Sequence, residues 1–489
     1  MHFYEICKDE SLKAWIVRAM QAHTDYIIDH IGDGKINICD TSPVWQGVNS
    51  ASILEPVVML YNLSKESRYL KFAEHIVNTG GAKDFDIFNA AYEDKLELNE
   101  YPVKKAYELM SCFEGIIEYY KVTGEEKWKK AAENFAKRLI KSEVTIIGCA
   151  GCEHECFNDS ALMQTYTKYD GLMQETCVTV TWMKLCYKLL CLTGESVYAD
   201  EIEKSVYNAL YGAVNTEGRT NTDETVFDLS WYRDVYKLYT ARTGGQPFDS
   251  YSPLRLGIRG KGVGGFRAMR DNSTYSGCCI VIGAAGIALV PRVAIMQSEN
   301  GVVFNLYPNG KFESDGFKAS IETAYPSDSL ITISVESDSA KELRFRIPYF
   351  SRNTIIEING EKTEYVTENG YALINREWKK GDQIKLYFDM NLRVLKGQEN
   401  PEDENSSKHI AFMYGPLVLA RDARVSEVGA TVDFDEENIS CKAVKTAGFD
   451  TQCELEINTG KETIKMIDYA SAGKTWDKES MFEAWLKTE

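Results

Sequence analysis

From residue 10 to about 225, apolar residues recur every three or four positions, the period of amphipathic helices. Within that stretch one pattern comes three times. Ser64-Lys65-Glu66-Ser67-Arg68-Tyr69, Thr123-Gly124-Glu125-Glu126-Lys127-Trp128 and Thr193-Gly194-Glu195-Ser196-Val197-Tyr198 each follow an apolar helical segment. Each turns sharply and sets an aromatic residue at the same offset, opening a second amphipathic segment. The copies lie 59 and 70 residues apart, room for one helical hairpin and one loop. A hairpin cannot bury its own apolar stripe, so such units must stack on one another. Hairpins that close into a ring predict an α/α toroid of the six-hairpin type, with its loops gathered at one end. A plain helical bundle is the other arrangement the pattern allows.

Between about 220 and 277 the pattern is irregular and rich in Gly, Tyr and Arg, and the apolar run 278–290 then reads as a last buried helix. Past residue 298 the period changes to two. Segments 302–307, 330–335 and 343–347 alternate apolar and polar residues, 355–358 leads into Asn359-Gly360, and Asn369-Gly370 precedes 371–374. Asn-Gly between alternating runs marks tight hairpins, so an antiparallel β-sandwich is predicted. After the acidic loop 401–407, segments 409–420 and 453–467 return to strand patterning. The organisation read from this is an α + β multidomain chain. Residues 1–297 form the toroid and catalytic domain, and 298–400 the sandwich. Residues 401–489 either complete the sandwich or form a small C-terminal β lobe.

Composition narrows the partners. The net charge is −18 with no cluster of Lys or Arg, so the basic footprint that nucleic acid or an anionic membrane needs is missing. A neutral ligand such as a sugar fits better. The longest apolar run is 13 residues, too short to span a bilayer, and the first residues lack the layout of a signal peptide. Thirteen cysteines without the dense spacing of a disulfide framework predict free thiols in a reducing cytoplasm.

Candidate chemistry falls in three places. Glu175-Thr176-Cys177 and Cys278-Cys279 both open helical patterns, where unpaired backbone N–H groups favour thiolate. Together they offer three sulfurs and one carboxylate, enough for a tetrahedral zinc site. Cysteines buried as small hydrophobes are the competing reading. The loop Gly151-Cys152-Glu153-His154-Glu155-Cys156-Phe157 carries two carboxylates and a histidine that could serve as a ligand. It reads either as a solvated acidic loop or as a catalytic carboxyl displayed by a rigid scaffold. Trp45, Trp231, Tyr232 and Tyr251 stand in loop-like contexts and are candidate sugar-stacking rings, although most of the 28 Tyr and 8 Trp belong to the core.

From about Trp45 onward the chain resembles glycoside hydrolase family 127, whose members include β-L-arabinofuranosidases. The resemblance rests on Glu175-Thr176-Cys177, on 198–208 with Glu203, and on Cys278-Cys279. In the strand region it rests on 343–348, 371–382 and Tyr414-Gly415-Pro416-Leu417-Val418. It implies a zinc ion held by Glu175, Cys177, Cys278 and Cys279, with Cys278 as the nucleophile of a retaining hydrolase. The acid/base is then Glu155, with Glu153 as rival. Glu203 is expected to bind sugar hydroxyls and Tyr251 to stand near the nucleophile. Tyr107 replaces the histidine of the family's His-Glu-Leu-Tyr segment, as a substrate-facing residue. The Pro-Asn that follows the family's cysteine pair is absent here. The implied substrate is a β-L-arabinofuranoside or related plant-glycan sugar, as a glycoside or short oligosaccharide. The sandwich offers a surface for a homodimer. A silent oligosaccharide-binding toroid with purely structural zinc is the alternative.

Overall fold

The computed structural model describes all residues except 1, 154, 170–173, 219–238, 243–246, 261–265, 270–273, 277 and 315. Trp231, Tyr232 and His154 therefore lie outside the described residues. The chain is α + β and divides into two compact units: Met1–Val144 with Glu155–Ala161, and Thr145–His154 with Leu162–Glu489. Among the described residues, no helix is long and apolar enough to cross a membrane.

The first unit is helical. Two of the three sequence repeats are hairpins here, Leu54–Ser64 with Ser67–Asn78 and Ala106–Thr123 with Glu126–Arg138. Both first helices stop on a left-handed residue, Lys65 (φ 57°) or Gly124 (φ 71°), whose N–H returns to the carbonyl four residues back. That conformation turns the chain sharply enough for the second helix to start two residues later. The repeated aromatics Tyr69 and Trp128 are buried at the start of those second helices. Gly115 lets the two hairpins touch: a Cβ there would fall 2.7 Å from Leu54 Cβ. Phe113 stacks on Phe135 at 3.8 Å and extends the same core.

The second unit holds the third hairpin, Thr176–Thr193 with Ser196–Lys204, closed by Gly194 (φ 69°) and with Tyr198 buried. The apolar run is a helix, Cys278–Ala294. A six-stranded and a five-stranded sheet follow. Their strands show the expected alternation, inward at Phe317, Ala319 and Ile321 and again at Ile331, Ile333 and Val335. Both sheets contribute to one core, with Phe304, Phe345 and Trp378 from one and Ile333, Ile356 and Leu386 from the other. Asn359-Gly360 (φ 54° and 86°) and Asn369-Gly370 (φ 50° and 81°) supply the paired positive φ values that tight hairpins need. The C-terminal strands form a separate eight-stranded sheet with its own core around Phe412, Leu419, Leu455 and Met466. Leu392–Lys396, placed by the sequence reading with 298–400, pairs with His409–Tyr414 in this last sheet. Period-two alternation reports a strand but not its neighbour.

Candidate active site

Within the second unit, the start of helix Thr176–Thr193 is fixed by a short strand. Gln174–Glu175 pairs antiparallel with Tyr251–Ser252, in a register that sets Glu175 opposite Tyr251. Thr176 donates its hydroxyl to the Asp249 carbonyl at 2.6 Å and its N–H to the Ser250 carbonyl at 3.1 Å. Asp249 in turn accepts from Ser252 Oγ (2.9 Å) and the Gly260 N–H (3.1 Å). Below this strand lies Arg259, fully buried between the rings of Tyr469 and Phe482. It donates to Ser252 Oγ at 2.7 Å and to the carbonyls of Tyr469 and Ala472 at 2.8 Å. A buried guanidinium with all these acceptors satisfied makes a rigid footing for the Glu175 strand.

The second helix is brought alongside by its glycines. A Cβ on residue 286 would meet Val180 Cγ2 at 2.7 Å, and one on residue 283 would meet the Phe248 ring at 2.8 Å. Val180 is one turn from Cys177, so the close approach at Gly286 aligns the first turns of Cys278–Ala294 and Thr176–Thr193. The result is a cluster in which one donor atom each from Glu175, Cys177, Cys278 and Cys279 lies within 4.8 Å of the others. Cys177 Sγ and Cys279 Sγ are 3.4 Å apart. With Zn–S near 2.3 Å, sulfurs on a tetrahedral ion stand roughly 3.8 Å apart, so this donor set fits zinc in both number and spacing. Glu175, Cys177 and Cys279 are buried, while Cys278 is exposed.

Electrostatics separate the three sulfurs. Hydrogen bonds from Cys177 and Cys279 pull the Cys278 thiol down to about 3, more than burial raises it. Donation to Cys278 and Cys279, together with burial, pushes Cys177 far above the ordinary thiol value. Cys279 is drawn down by Cys177, but donation to Cys278 and burial outweigh that and leave it raised. Of the three sulfurs, the exposed one is the one whose thiolate form these contacts favour. Cys149, a neighbour that no motif marks, places its sulfur 3.5 Å from the Gly151 carbonyl and 3.6 Å from that of Glu175. Burial raises its thiol to about 12, so it packs as a neutral group.

In the first unit, Glu155 sits at φ 62° in a half-buried turn. The Ala106 N–H donates to its carbonyl at 3.0 Å, and the Phe157 N–H donates to the Lys104 carbonyl at 2.8 Å. These bonds bring Lys105 against Glu155, and the ammonium forms an ion pair with the carboxylate. The loop is held from below by Glu143, whose carboxylate accepts the N–H groups of Asn158 (3.1 Å), Asp159 (3.0 Å) and Ser160 (3.0 Å) and the Ser160 hydroxyl (2.8 Å). Burial pushes the Glu143 carboxyl up to about 7, more than those donors lower it. Tyr107 is half-buried in the first turn of its helix. Glu153, the rival of Glu155, belongs to the segment that clusters with the second unit.

Glu203 stands in a different setting. Glu203 is fully buried, and its carboxylate receives Arg346 Nη2 at 2.5 Å and the Tyr325 hydroxyl at 2.8 Å. Arg346 also pairs with Asp200 at 2.5 Å, so the trio ties helix Ser196–Lys204 to strand Ser339–Arg346. Both bonds fall on Oε1, while Oε2 is buried without a hydrogen-bond partner.

Comparison with known proteins points to one family. The family description Beta-L-arabinofuranosidase, GH127 catalytic domain, matches residues 2–227, and the GH127 middle domain matches 301–390. A non-reducing end β-L-arabinofuranosidase of Bifidobacterium longum subsp. longum is 21% identical over 422 residues, which are 79% of this chain and 58% of that protein. The chain thus spans little more than half the length of that curated relative. Among solved structures, a GH127 β-arabinofuranosidase superposes with a TM-score of 0.70 at 20% identity, covering 95% of this chain and 72% of that one. A GH127 β-L-arabinofuranosidase from Geobacillus stearothermophilus T6 gives 0.62 at 19% identity, covering 95% and 75%. At these identities the likeness is one of fold.

Proposed function

The chain belongs to glycoside hydrolase family 127, and from that premise we propose that it is a retaining, zinc-dependent glycoside hydrolase with Cys278 as nucleophile and Glu155 as acid/base. Its substrate is then a β-L-arabinofuranoside or a related plant-glycan sugar. The helical hairpins are read as part of an α/α toroid, and the two sheets that share a core as the β-sandwich that follows it. The observation that carries the reading is the donor cluster with a single exposed sulfur: Glu175, Cys177 and Cys279 are buried, and Cys278 alone of the four can meet a substrate.

Retaining glycosidases displace the leaving group with an enzyme nucleophile and then displace that nucleophile with water, so two inversions preserve the anomeric configuration. Here the Cys278 thiolate attacks the anomeric carbon as the glycosidic C–O bond breaks. Glu155, protonated at that moment, gives its proton to the departing oxygen. In the second half the Glu155 carboxylate takes a proton from water, whose oxygen forms a bond to the anomeric carbon while the C–S bond breaks and thiolate returns. Glu175, Cys177, Cys278 and Cys279 would hold the zinc, which keeps the sulfurs deprotonated at neutral pH. Lys105 fixes the position of the Glu155 carboxylate through their ion pair.

The test is hydrolysis of a panel of aryl glycosides by wild type, Cys278→Ser, Glu155→Gln and Glu153→Gln, with zinc content measured on each. The reading requires that one furanoside is cleaved. Cys278→Ser must then abolish turnover with most zinc retained, and Glu155→Gln must cost more than Glu153→Gln. No cleavage by wild type, with Cys278→Ser merely shedding zinc and stability, overturns the reading.

A further inference from the structure

We propose that Trp45 is a stacking platform for the sugar on the leaving-group side of the scissile bond, displayed beside Glu155 by a left-handed turn. The inference rests on the assignment of Glu155 as acid/base. Its physical basis lies wholly within the first unit.

Tryptophan is normally buried to a large extent, and most tryptophans among the described residues are. Trp45 instead keeps 40% of its surface exposed. It also adopts φ 50° and ψ 38°, a left-handed conformation unfavourable for any residue with a Cβ, and Gln46 repeats it at φ 51° and ψ 33°. Strain of this kind persists only where surrounding contacts impose it, and here they do. Gln46 donates its side-chain amide to the Pro102 carbonyl at 3.2 Å, and its own carbonyl accepts the Lys83 N–H at 2.7 Å. Gly47 continues the turn at φ 76°, where a Cβ would lie 2.1 Å from the Cys39 carbonyl oxygen, so only glycine fits. The chain therefore accepts three consecutive left-handed residues to hold an indole at the surface. Burial of the ring is not what this arrangement achieves.

What lies next to the ring gives it a role. The Lys105 ammonium stands 5.7 Å from the centre of the Trp45 ring and is ion-paired with Glu155. One ammonium thus bridges ring and carboxylate, which puts the indole within reach of a disaccharide whose glycosidic oxygen meets Glu155. A general acid faces the oxygen of the departing group, so a ring held beside it lies under the sugar attached to that oxygen. Sugars present a C–H face that packs on an aromatic face, and an indole offers the largest one at little rotational cost. A neutral glycosyl unit is the chemistry this surface matches. Lys105 orients the ring through its charge while holding the carboxylate.

The test uses the full-length, zinc-loaded enzyme with two substrates: an arabinofuranosyl disaccharide and an arabinofuranosyl fluoride, whose leaving group is too small to reach the platform. For Trp45→Ala, the disaccharide-to-fluoride ratio of kcat/KM is expected to fall about ten-fold, through KM rather than kcat, with Trp45→Phe recovering most of it. Because the residue is strained and exposed, the unfolding midpoint should not fall. Equal losses on both substrates, or an unchanged ratio, overturn the platform. If wild type cleaves neither substrate, the hydrolase reading itself fails and the platform is judged by binding. Calorimetric titration with the disaccharide must then show binding to wild type that Trp45→Ala weakens; equal binding, or none, overturns it.

Discussion

Gly286→Ala is a small change with a large expected effect on a site two helical turns away. The added methyl would lie 2.7 Å from Val180 Cγ2 and 3.2 Å from the two δ carbons of Leu210. Carbon atoms rest about 3.5 to 4.0 Å apart, so relief requires roughly 1 Å of separation between helices Cys278–Ala294 and Thr176–Thr193. Their first turns carry Cys278, Cys279 and Cys177, and metal-ligand distances tolerate only about 0.2 Å. Zinc affinity should fall about 10- to 100-fold, the size of loss seen when groups that orient metal ligands are removed. Overpacking costs about 1 to 3 kcal/mol, but alanine recovers about 1 kcal/mol of helix propensity, so stability is the weaker readout. Affinity is measured by competition with a chromophoric chelator. Gly283→Ala is the internal comparison: its methyl would meet the ring of Phe248 and not helix Thr176–Thr193, and a smaller loss is expected. Wild-type zinc affinity in Gly286→Ala would refute the argument that this contact sets the sulfur spacing.

Other expectations follow from the same contacts. Arg346→Met leaves Asp200 and Glu203 buried without their shared cation and should destabilise the protein by about 3 to 5 kcal/mol in denaturant titration. Glu203→Gln should likewise lower stability in the same titration. Glu143 holds its proton up to about pH 7 in the folded state, whereas an unfolded glutamate releases it near 4.3, so the stability it contributes is complete below that value and lost as pH rises toward 7. Glu143→Gln should flatten the fall in unfolding midpoint between pH 4 and pH 7, a difference on the order of 3 kcal/mol across that window. Zinc-free protein treated with iodoacetamide at pH 6 should be alkylated at Cys278 before Cys191, the other exposed thiol, because only Cys278 is held as thiolate by its neighbours. Loading zinc should protect Cys278; equal labelling of both sites would contradict the ordering of the thiols.

How much of this could be read from the chain depends on the range of the forces involved. The hairpins were legible because a left-handed stop at Gly124 or Gly194 and a buried aromatic four residues later are local events. Asn359-Gly360 and Asn369-Gly370 were legible for the same reason. The sulfur cluster was visible only as two motifs a hundred residues apart, and their meeting depends on Gly286 finding Val180. Glycines at 283 and 286 are plain in the sequence, but their meaning requires the partner helix. The ion pair of Glu203 was not legible because an acidic residue within a family motif says nothing of Arg346, which lies 143 positions away. Glu143 and Lys105 have no sequence signature at all; each is an ordinary charged residue until the loop at 155–160 is placed on it.

The footing of Glu175 has a consequence for synthesis. Arg259 finds one acceptor nearby in sequence, Ser252 Oγ, but its two carbonyl acceptors are those of Tyr469 and Ala472, and the rings that enclose it are Tyr469 and Phe482. On the ribosome, Glu175 and both cysteine motifs therefore emerge long before the residues that anchor them. A nascent chain stalled short of Tyr469 can carry every donor sulfur and still leave Arg259 without its two carbonyl acceptors and both enclosing rings. On the proposed zinc reading, metal retention would depend on translation past that point, so truncated products would differ from finished ones in metal content as well as in length.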